Sequence, residues 1–237
     1  MSRNILITGA SSEIGNAVVA KFLSNGWNVT AHINKNNNIK KKFFNEKNID
    51  YIKYNFSIIK GTEKFIKKNK NHFKKFDAYI NLIGFNKAKS FDKVNSKDIF
   101  EHISTNYISG LFIAREIIKS LIKKKWGRIL LTSSIGTKFG GGQRTFSYSL
   151  SKFLNEFLPK YFKDAAKFNV MCNCLRIGVT DTKIHKKVPN KNLKKRAQLI
   201  PTKKIAKPEE IAEYIYFLCS EKNSQITNKV LDISGGE

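Results

Sequence analysis

The feature that most limits what this chain can fold into is a regular alternation of short apolar runs with amphipathic stretches along its whole length. Apolar runs at 5–8, 28–33, 51–56, 78–83, 128–132, 169–175 and 229–233 have the length of strands. After the first of them, Ile14, Ala17, Val18 and Phe22 recur at helical spacing, as do Phe65, Ile66 and Phe73 within 59–73. Further helices are expected over 39–44, 99–124, 147–168 and 209–218. Pro159 should kink or break the third of these, and Pro208 suits the first turn of the last. Apolar strands that alternate with amphipathic helices build a parallel sheet covered on both faces. The expected class is therefore α/β, with a single doubly wound parallel sheet. No repeat or linker divides 1–237, which reads as one domain. The least regular stretch, 179–207, is too long for an ordinary connection and is expected to form a lid.

Composition narrows the setting. With 237 residues, 41% apolar and 26% charged, the chain can bury a substantial core. No apolar run approaches the ~20 residues that span a bilayer, and the strand at 5–8 leaves no room for a signal peptide. A cytoplasmic protein without a membrane partner is expected. Cys172 and Cys174 alternate along one strand and share a face, but no compact Cys/His set accompanies them. Buried, reduced thiols are the reading, and no metal. A net charge of +26 would suit a nucleic acid or another anionic partner. The lysines, however, travel with Asn, Ile and Phe, as in 34–44 and 64–75, and no RNA-binding aromatic motif, zinc-finger spacing or isolated basic tail is present. Compositional drift over a solvated surface explains the charge, and no nucleic acid is expected.

The first strand runs straight into Thr8-Gly9-Ala10-Ser11-Ser12-Glu13-Ile14-Gly15 and a helix. A glycine turn in that place lets backbone N–H groups and the helix N-terminus face a pyrophosphate. One glycine of the usual three is replaced by Glu13, whose carboxylate is unfavourable near phosphate unless it points away. The pattern T-G-x-x-x-x-I-G resembles the nucleotide loop of the short-chain dehydrogenase/reductase family, and further landmarks follow in that family's order. Asn81-Leu82-Ile83-Gly84 is similar to its N-N-A-G strand end, and Asn106 stands where it carries a helix asparagine. The stretch from Gly127 to Ser134 resembles its serine-bearing strand, and Tyr148-Ser149-Leu150-Ser151-Lys152 matches its Y-x-x-x-K signature. Ile177-Gly178 with Thr182 resembles its nicotinamide-side P-G and threonine, with isoleucine in place of proline, and Gly235-Gly236 matches its usual ending.

The resemblance covers essentially the whole chain. It implies a Rossmann fold, a dinucleotide held by Gly9, Ser11, Ser12, Ile14, Gly15, Asn81, Gly84, Gly178 and Thr182, and hydride transfer to or from a carbonyl/alcohol pair. Asn55, where the family often has an aspartate, either bonds the adenine or simply ends a strand. The second strand ends His32-Ile33-Asn34-Lys35 with no acid to bind a ribose 2′-hydroxyl. Asn34 can donate to a 2′-phosphate and Lys35 can neutralise it, which favours NADP(H) over NAD(H).

Tyr148 and Lys152, four apart, face the same way on a helix. A tyrosine with its usual pKa of ~10 is a poor base, and a neighbouring ammonium is expected to bring it into working range. Lys152 also binds the nicotinamide ribose in the family. Ser133 and Ser134 compete as the polarising serine; counting along the stiffer strand selects Ser134. The resemblance implies that Asn106 keeps an ordered water against Lys152.

Between Thr182 and Lys207 there is no acid, while Lys183, Lys186, Lys187, Lys191, Lys194, Lys195, Arg196, Lys203 and Lys204 crowd in. That lid either draws an anionic substrate, such as a carrier-bound acyl group or a nucleotide-linked or acidic sugar, or shares the chain-wide lysine bias. Relatives to weigh are 3-oxoacyl-carrier-protein reductases and sugar-modifying enzymes. A catalytically silent dinucleotide-binding regulator and a basic nucleic-acid binder are the alternative readings. The resemblance and the apolar helices around 108–121 and 153–162 predict a homotetramer or homodimer.

Overall fold

The computed structural model describes residues 2–35, 38–183 and 192–237. Seven strands, β1 (Asn4–Thr8), β2 (Asn28–Ile33), β3 (Ile49–Lys53), β4 (Ala78–Asn81), β5 (Gly127–Ser134), β6 (Val170–Ile177) and β7 (Val230–Ile233), form one sheet. Every pairing is parallel, and the order is β3-β2-β1-β4-β5-β6-β7. Helices α1 (Glu13–Ser24), α2 (Asn38–Lys42), α3 (Ile59–Lys68), α4 (Lys70–Phe73), α5 (Ser96–Ile103) and α6 (Ser109–Lys124) lie in the first half of the chain. Helices α7 (Phe146–Phe153), α8 (Lys160–Asp164), α9 (Leu193–Gln198) and α10 (Pro208–Cys219) follow β5.

The alternation of side chains along each strand divides the interior into two cores. Ile5, Ile7, Ile80 and Leu130 pack with α1, Ile39 of α2 and α10 on one face. Their sequence neighbours Leu6, Tyr79, Ile129 and Leu131 pack with α3, α4, α6 and α8 on the other. A parallel sheet of this kind is apolar on both sides because each face meets helices, and each fully buried large aliphatic contributes roughly 1.5–3 kcal/mol. Cys172 and Cys174 point into the second core. The chain leaves β1 toward β2 on one side of the sheet and β4 toward β5 on the other. The carboxyl ends of β1 and β4 therefore border a crevice, the usual ligand position in open sheets of this type.

Two expected helices are interrupted. The one expected over 99–124 is split by a π turn, Ser104–Ile108, with Asn106 at its centre. Such a turn opens the helical ladder and turns a side chain out of the regular repeat. The helix expected over 147–168 ends at Phe153, tightens into a 3-10 turn at Leu154–Glu156, and resumes only after Pro159. Pro159 has no N–H to continue the ladder, so the break falls where its ring would clash with the preceding turn. Strand β4 is shorter than expected, stopping at Asn81, whereas β5 runs on to Ser134.

Candidate active site

The nucleotide turn is held by backbone proximity. Gly9 has φ +73°, and a Cβ there would sit 2.6 Å from the Leu82 carbonyl carbon. A Cβ at Gly15 would meet the Gly9 carbonyl oxygen at 2.5 Å. Both positions therefore admit only glycine. Ser12 caps α1: its hydroxyl accepts from Gly15 N–H at 3.0 Å and donates to the Gly9 carbonyl at 2.9 Å. Its side chain is thus spent on the turn itself, while Ser11 and Ile14 are half-buried at the open end of α1. The Glu13 carboxylate is engaged across the crevice, accepting from the Lys183 N–H at 3.4 Å with the Lys183 ammonium 4.0 Å away.

Two residues outside the glycine pattern complete this turn. Asn16 donates from Nδ2 to the carbonyls of Ala10 and Ser12. His32, buried at the end of β2, accepts from Gly9 N–H through Nδ1 at 3.4 Å and donates through Nε2 to the Tyr54 carbonyl at 3.0 Å. Burial lowers its pKa to about 4. Neither residue stood out in the sequence, because a polar residue in a strand or a first helical turn carries no marker of what it bonds.

The remaining cofactor-side candidates divide by exposure. Asn34, Lys35 and Gly84 are exposed, the first two just past β2 and the last past β4. Asn55 is exposed and accepts from Ser57 N–H at 3.2 Å, the arrangement of a local turn. Asn81 is fully enclosed, accepting from Thr8 at 2.9 Å and from Ile83 N–H at 3.3 Å. Its side chain therefore shapes the loop to Gly84 rather than opening onto the crevice. Gly178 closes β6 against β7 through Ile233, and Thr182 donates to the Thr180 carbonyl at the start of the lid segment.

The chemical residues meet at the end of β5. The Ser134 hydroxyl stands beside Tyr148 and accepts from Gly136 N–H at 3.3 Å, while its neighbour Ser133 turns the other way and donates to Glu156 at 2.5 Å. Successive strand residues face opposite ways, so only one of the two serines can reach the tyrosine. Lys152, 3% exposed, donates to the Ile83 carbonyl at 3.0 Å and to Thr132 Oγ1 at 3.1 Å. The Asn106 amide makes three hydrogen bonds: Oδ1 accepts from Phe85 N–H at 2.7 Å, and Nδ2 donates to the Phe85 carbonyl and to Ser151 at 2.8 Å. Its own carbonyl accepts from Asn155 at 3.2 Å. Asn106 is thus the joint between the loop after Gly84 and the helix of Tyr148.

Burial pushes the Tyr148 pKa up to about 12, with the Ser134 hydrogen bond pulling it down. Burial also lowers Lys152 to about 8. Desolvation disfavours whichever form is charged, so it moves the two groups in opposite directions.

This constellation can be set beside known proteins. Residues 9–237 match the family model described as enoyl-(acyl carrier protein) reductase. The chain belongs to the short-chain dehydrogenase/reductase family. It is 28% identical to the 3-oxoacyl-(acyl-carrier-protein) reductase of Aquifex aeolicus, over 98% of this chain and 86% of that one. It is also 28% identical to the acetoacetyl-CoA reductase of Shinella zoogloeoides, over 100% and 99%. Among solved structures, ElxO with NADP bound superimposes with a TM-score of 0.84 at 25% identity, covering 99% of this chain and 98% of that chain. As a member of this family the protein is an oxidoreductase acting on a CH–OH/carbonyl pair with a nicotinamide dinucleotide.

The basic segment 179–207 is described only in part, and Lys186, Lys187 and Lys191 lie outside the described residues. Three of its described cations are partnered by acids from elsewhere: Lys183 with Glu13, Arg196 with Glu237, and Lys204 with Glu210. The local absence of acids therefore overstates the segment's free charge. Among the described residues no helix is long and apolar enough to cross a membrane.

Proposed function

We propose that this enzyme is an NADP(H)-dependent carbonyl reductase whose substrate is a 3-oxoacyl group carried as a thioester. The observation that carries the reading is the meeting of Ser134, Tyr148 and Lys152 at the carboxyl end of β5. The substrate class is supported by the names of relatives that span the whole chain, reductases of acyl-carrier-protein and CoA thioesters.

The residues present fit a dinucleotide. The tight Gly9 turn presents the N-terminus of the 12-residue helix α1, whose unpaired N–H groups favour phosphate. Beyond β2, Asn34 and Lys35 offer a donor and a cation with no acid beside them, which favours a 2′-phosphate. Gly84, Gly178 and Thr182 border the nicotinamide end, and Asn55 lies toward the adenine. The nicotinamide, when bound, supplies the hydride.

The protein supplies the proton. Tyr148, held protonated by burial, gives its hydrogen to the substrate oxygen as negative charge develops there. Ser134 donates a second hydrogen bond to the same oxygen, which is electrostatic stabilisation by a preorganised donor. Lys152 has placed two of its three donors on Ile83 and Thr132, leaving the third for a ribose hydroxyl. With a pKa of about 8 it loses and regains a proton near neutrality, so it can recharge Tyr148. Segment 179–207 acts as the substrate lid. Exposed Phe153, Phe157 and Tyr161 near α7 and α8 support a homo-oligomer, a tetramer or dimer. A 27 kDa species alone in sedimentation at micromolar concentration would exclude that assembly.

The test is NADPH oxidation with a panel of 3-oxoacyl thioesters and nucleotide-linked keto-sugars, on wild type and Tyr148→Phe. Thioesters should be turned over, and Tyr148→Phe should lose about 10²–10⁴ in turnover with NADPH affinity within a few-fold. Near-normal turnover in Tyr148→Phe would overturn the mechanism, and activity confined to sugars would overturn the substrate class.

A further inference from the structure

The catalytic segment carries a third polar residue at the same spacing as Tyr148 and Lys152. Glu156 lies four positions beyond Lys152, and each of the three meets a different residue at the end of β5. Tyr148 stands beside Ser134, Lys152 donates to Thr132 at 3.1 Å, and Glu156 accepts from Ser133 at 2.5 Å. The Glu156 side chain is only 8% exposed and takes three more hydrogen bonds: Thr137 at 2.7 Å, and Arg176 Nε at 3.0 Å and Nη2 at 2.6 Å. Arg176 continues to Asp232 at 2.7 Å, and Asp232 lies 3.4 Å from the ammonium of Lys138. Lys138 directly follows Thr137, so the charges close into a ring around the turn Ile135–Phe139 that leaves the catalytic serine.

We propose that Glu156 is a positioning residue for carbonyl reduction: together with Arg176 it clamps that turn from behind and holds the Ser134 hydroxyl on Tyr148. The turn has little stiffness of its own. Gly136 lies within it, and it ends at Gly140 and Gly141 with φ of +66° and +88°. A buried carboxylate is costly unless it is paired and fully bonded, and a two-pronged arginine contact also fixes direction. Here the carboxylate gathers the strand end, the turn, the catalytic segment and β6 at one point. A displacement of about 1 Å at a reacting group can cost roughly a hundredfold in rate. This role rests on the catalytic reading of Ser134 and Tyr148 given above.

Three variants test it: Glu156→Gln, Glu156→Asp and Ser133→Ala. Glu156→Gln should lower kcat by about ten- to a hundredfold while NADPH Kd stays within about twofold. Glu156→Asp, which keeps the charge, should fall between it and wild type. Ser133→Ala removes one of the four bonds and should give a smaller change of the same kind, even if Glu156→Gln fails to fold. Amide exchange should quicken at 134–142 in each foldable variant. Wild-type kcat in Glu156→Gln would overturn the proposal, as would faster exchange spread evenly over the whole chain. If wild type itself reduces no carbonyl, the functional reading falls, while local exchange still decides whether the clamp exists.

Discussion

His32 and Lys152 are two buried bases on opposite sides of one crevice, and burial lowers the pKa of both, to about 4 and about 8. Their surroundings differ. Both ring nitrogens of His32 are used by the backbone in the neutral form, one accepting from Gly9 N–H and one donating to the Tyr54 carbonyl. A proton added to that ring would set a donor against a donor. Lys152 meets only two neutral oxygens and no carboxylate. No carboxylate among the described residues locks it in one state, and its pKa is lowered to about 8. One buried base has become a fixed joint of the nucleotide turn, and the other remains a group that can exchange protons.

The largest effect that would break this contrast is at Lys152. Lys152→Met should abolish turnover and weaken NADPH binding, because both its roles are lost. It should also remove a pH dependence of stability. A lysine whose folded pKa is lowered from 10.5 to about 8 destabilises the fold below pH 8 by about 3 kcal/mol. Wild-type stability should rise between pH 8 and 10.5 as the unfolded chain releases fewer protons than the native one. Chemical denaturation across that window should show the rise in wild type and not in Lys152→Met. Retained activity in Lys152→Met would refute the assignment.

A comparable effect belongs to His32, in the acid window. With a folded pKa of about 4 against 6.5 unfolded, its contribution is fully present above pH 6.5. It is lost as pH falls toward 4, in total about 3 kcal/mol. His32→Gln can offer an oxygen to Gly9 and an N–H to Tyr54, so NADPH affinity near neutrality should change by no more than a few-fold. The acid loss of stability should shrink. An unchanged acid profile would show that another group titrates there.

The smallest effect lies at the open end of β2. NADPH should bind at least tenfold more tightly than NADH, a difference of about 1.4 kcal/mol. One charge-assisted contact from Lys35 supplies ~1.5–3 kcal/mol. Asn34→Asp should invert the preference, and added salt should weaken it because Asn34 and Lys35 are exposed. Equal affinities in titrations of wild type would remove NADP(H) as the preferred cofactor.

Much of this molecule was readable before folding, for reasons particular to each part. The strands follow from apolar runs that must be covered on both faces, and Leu6 between Ile5 and Ile7 needs no tertiary information to be assigned to the opposite core. Gly9 and Gly15 announce a tight turn because no other residue fits where two backbones touch. Spacing by four places Tyr148 and Lys152 on one side of any helix. The π turn at Asn106 was not readable, because an extra residue in the helical ladder is chosen by what the side chain reaches, here Phe85 and Ser151.

What the amino-acid order determined by itself was the set of local geometries: strand and helix periods, the glycine turn, the break at Pro159, and the pairing of tyrosine with lysine. What only the tertiary structure decided were the quantities that depend on neighbours distant in the chain. Burial pushes the Tyr148 pKa up to about 12 and lowers that of Lys152 to about 8. Three cations of segment 179–207 are answered by Glu13, Glu210 and Glu237, two of them far away in the chain. Glu156, one acid among 18 in the sequence, becomes a clamp only because Arg176 and Ser133 converge on it. Solvation and charge pairing act through space, so no window of sequence contains them.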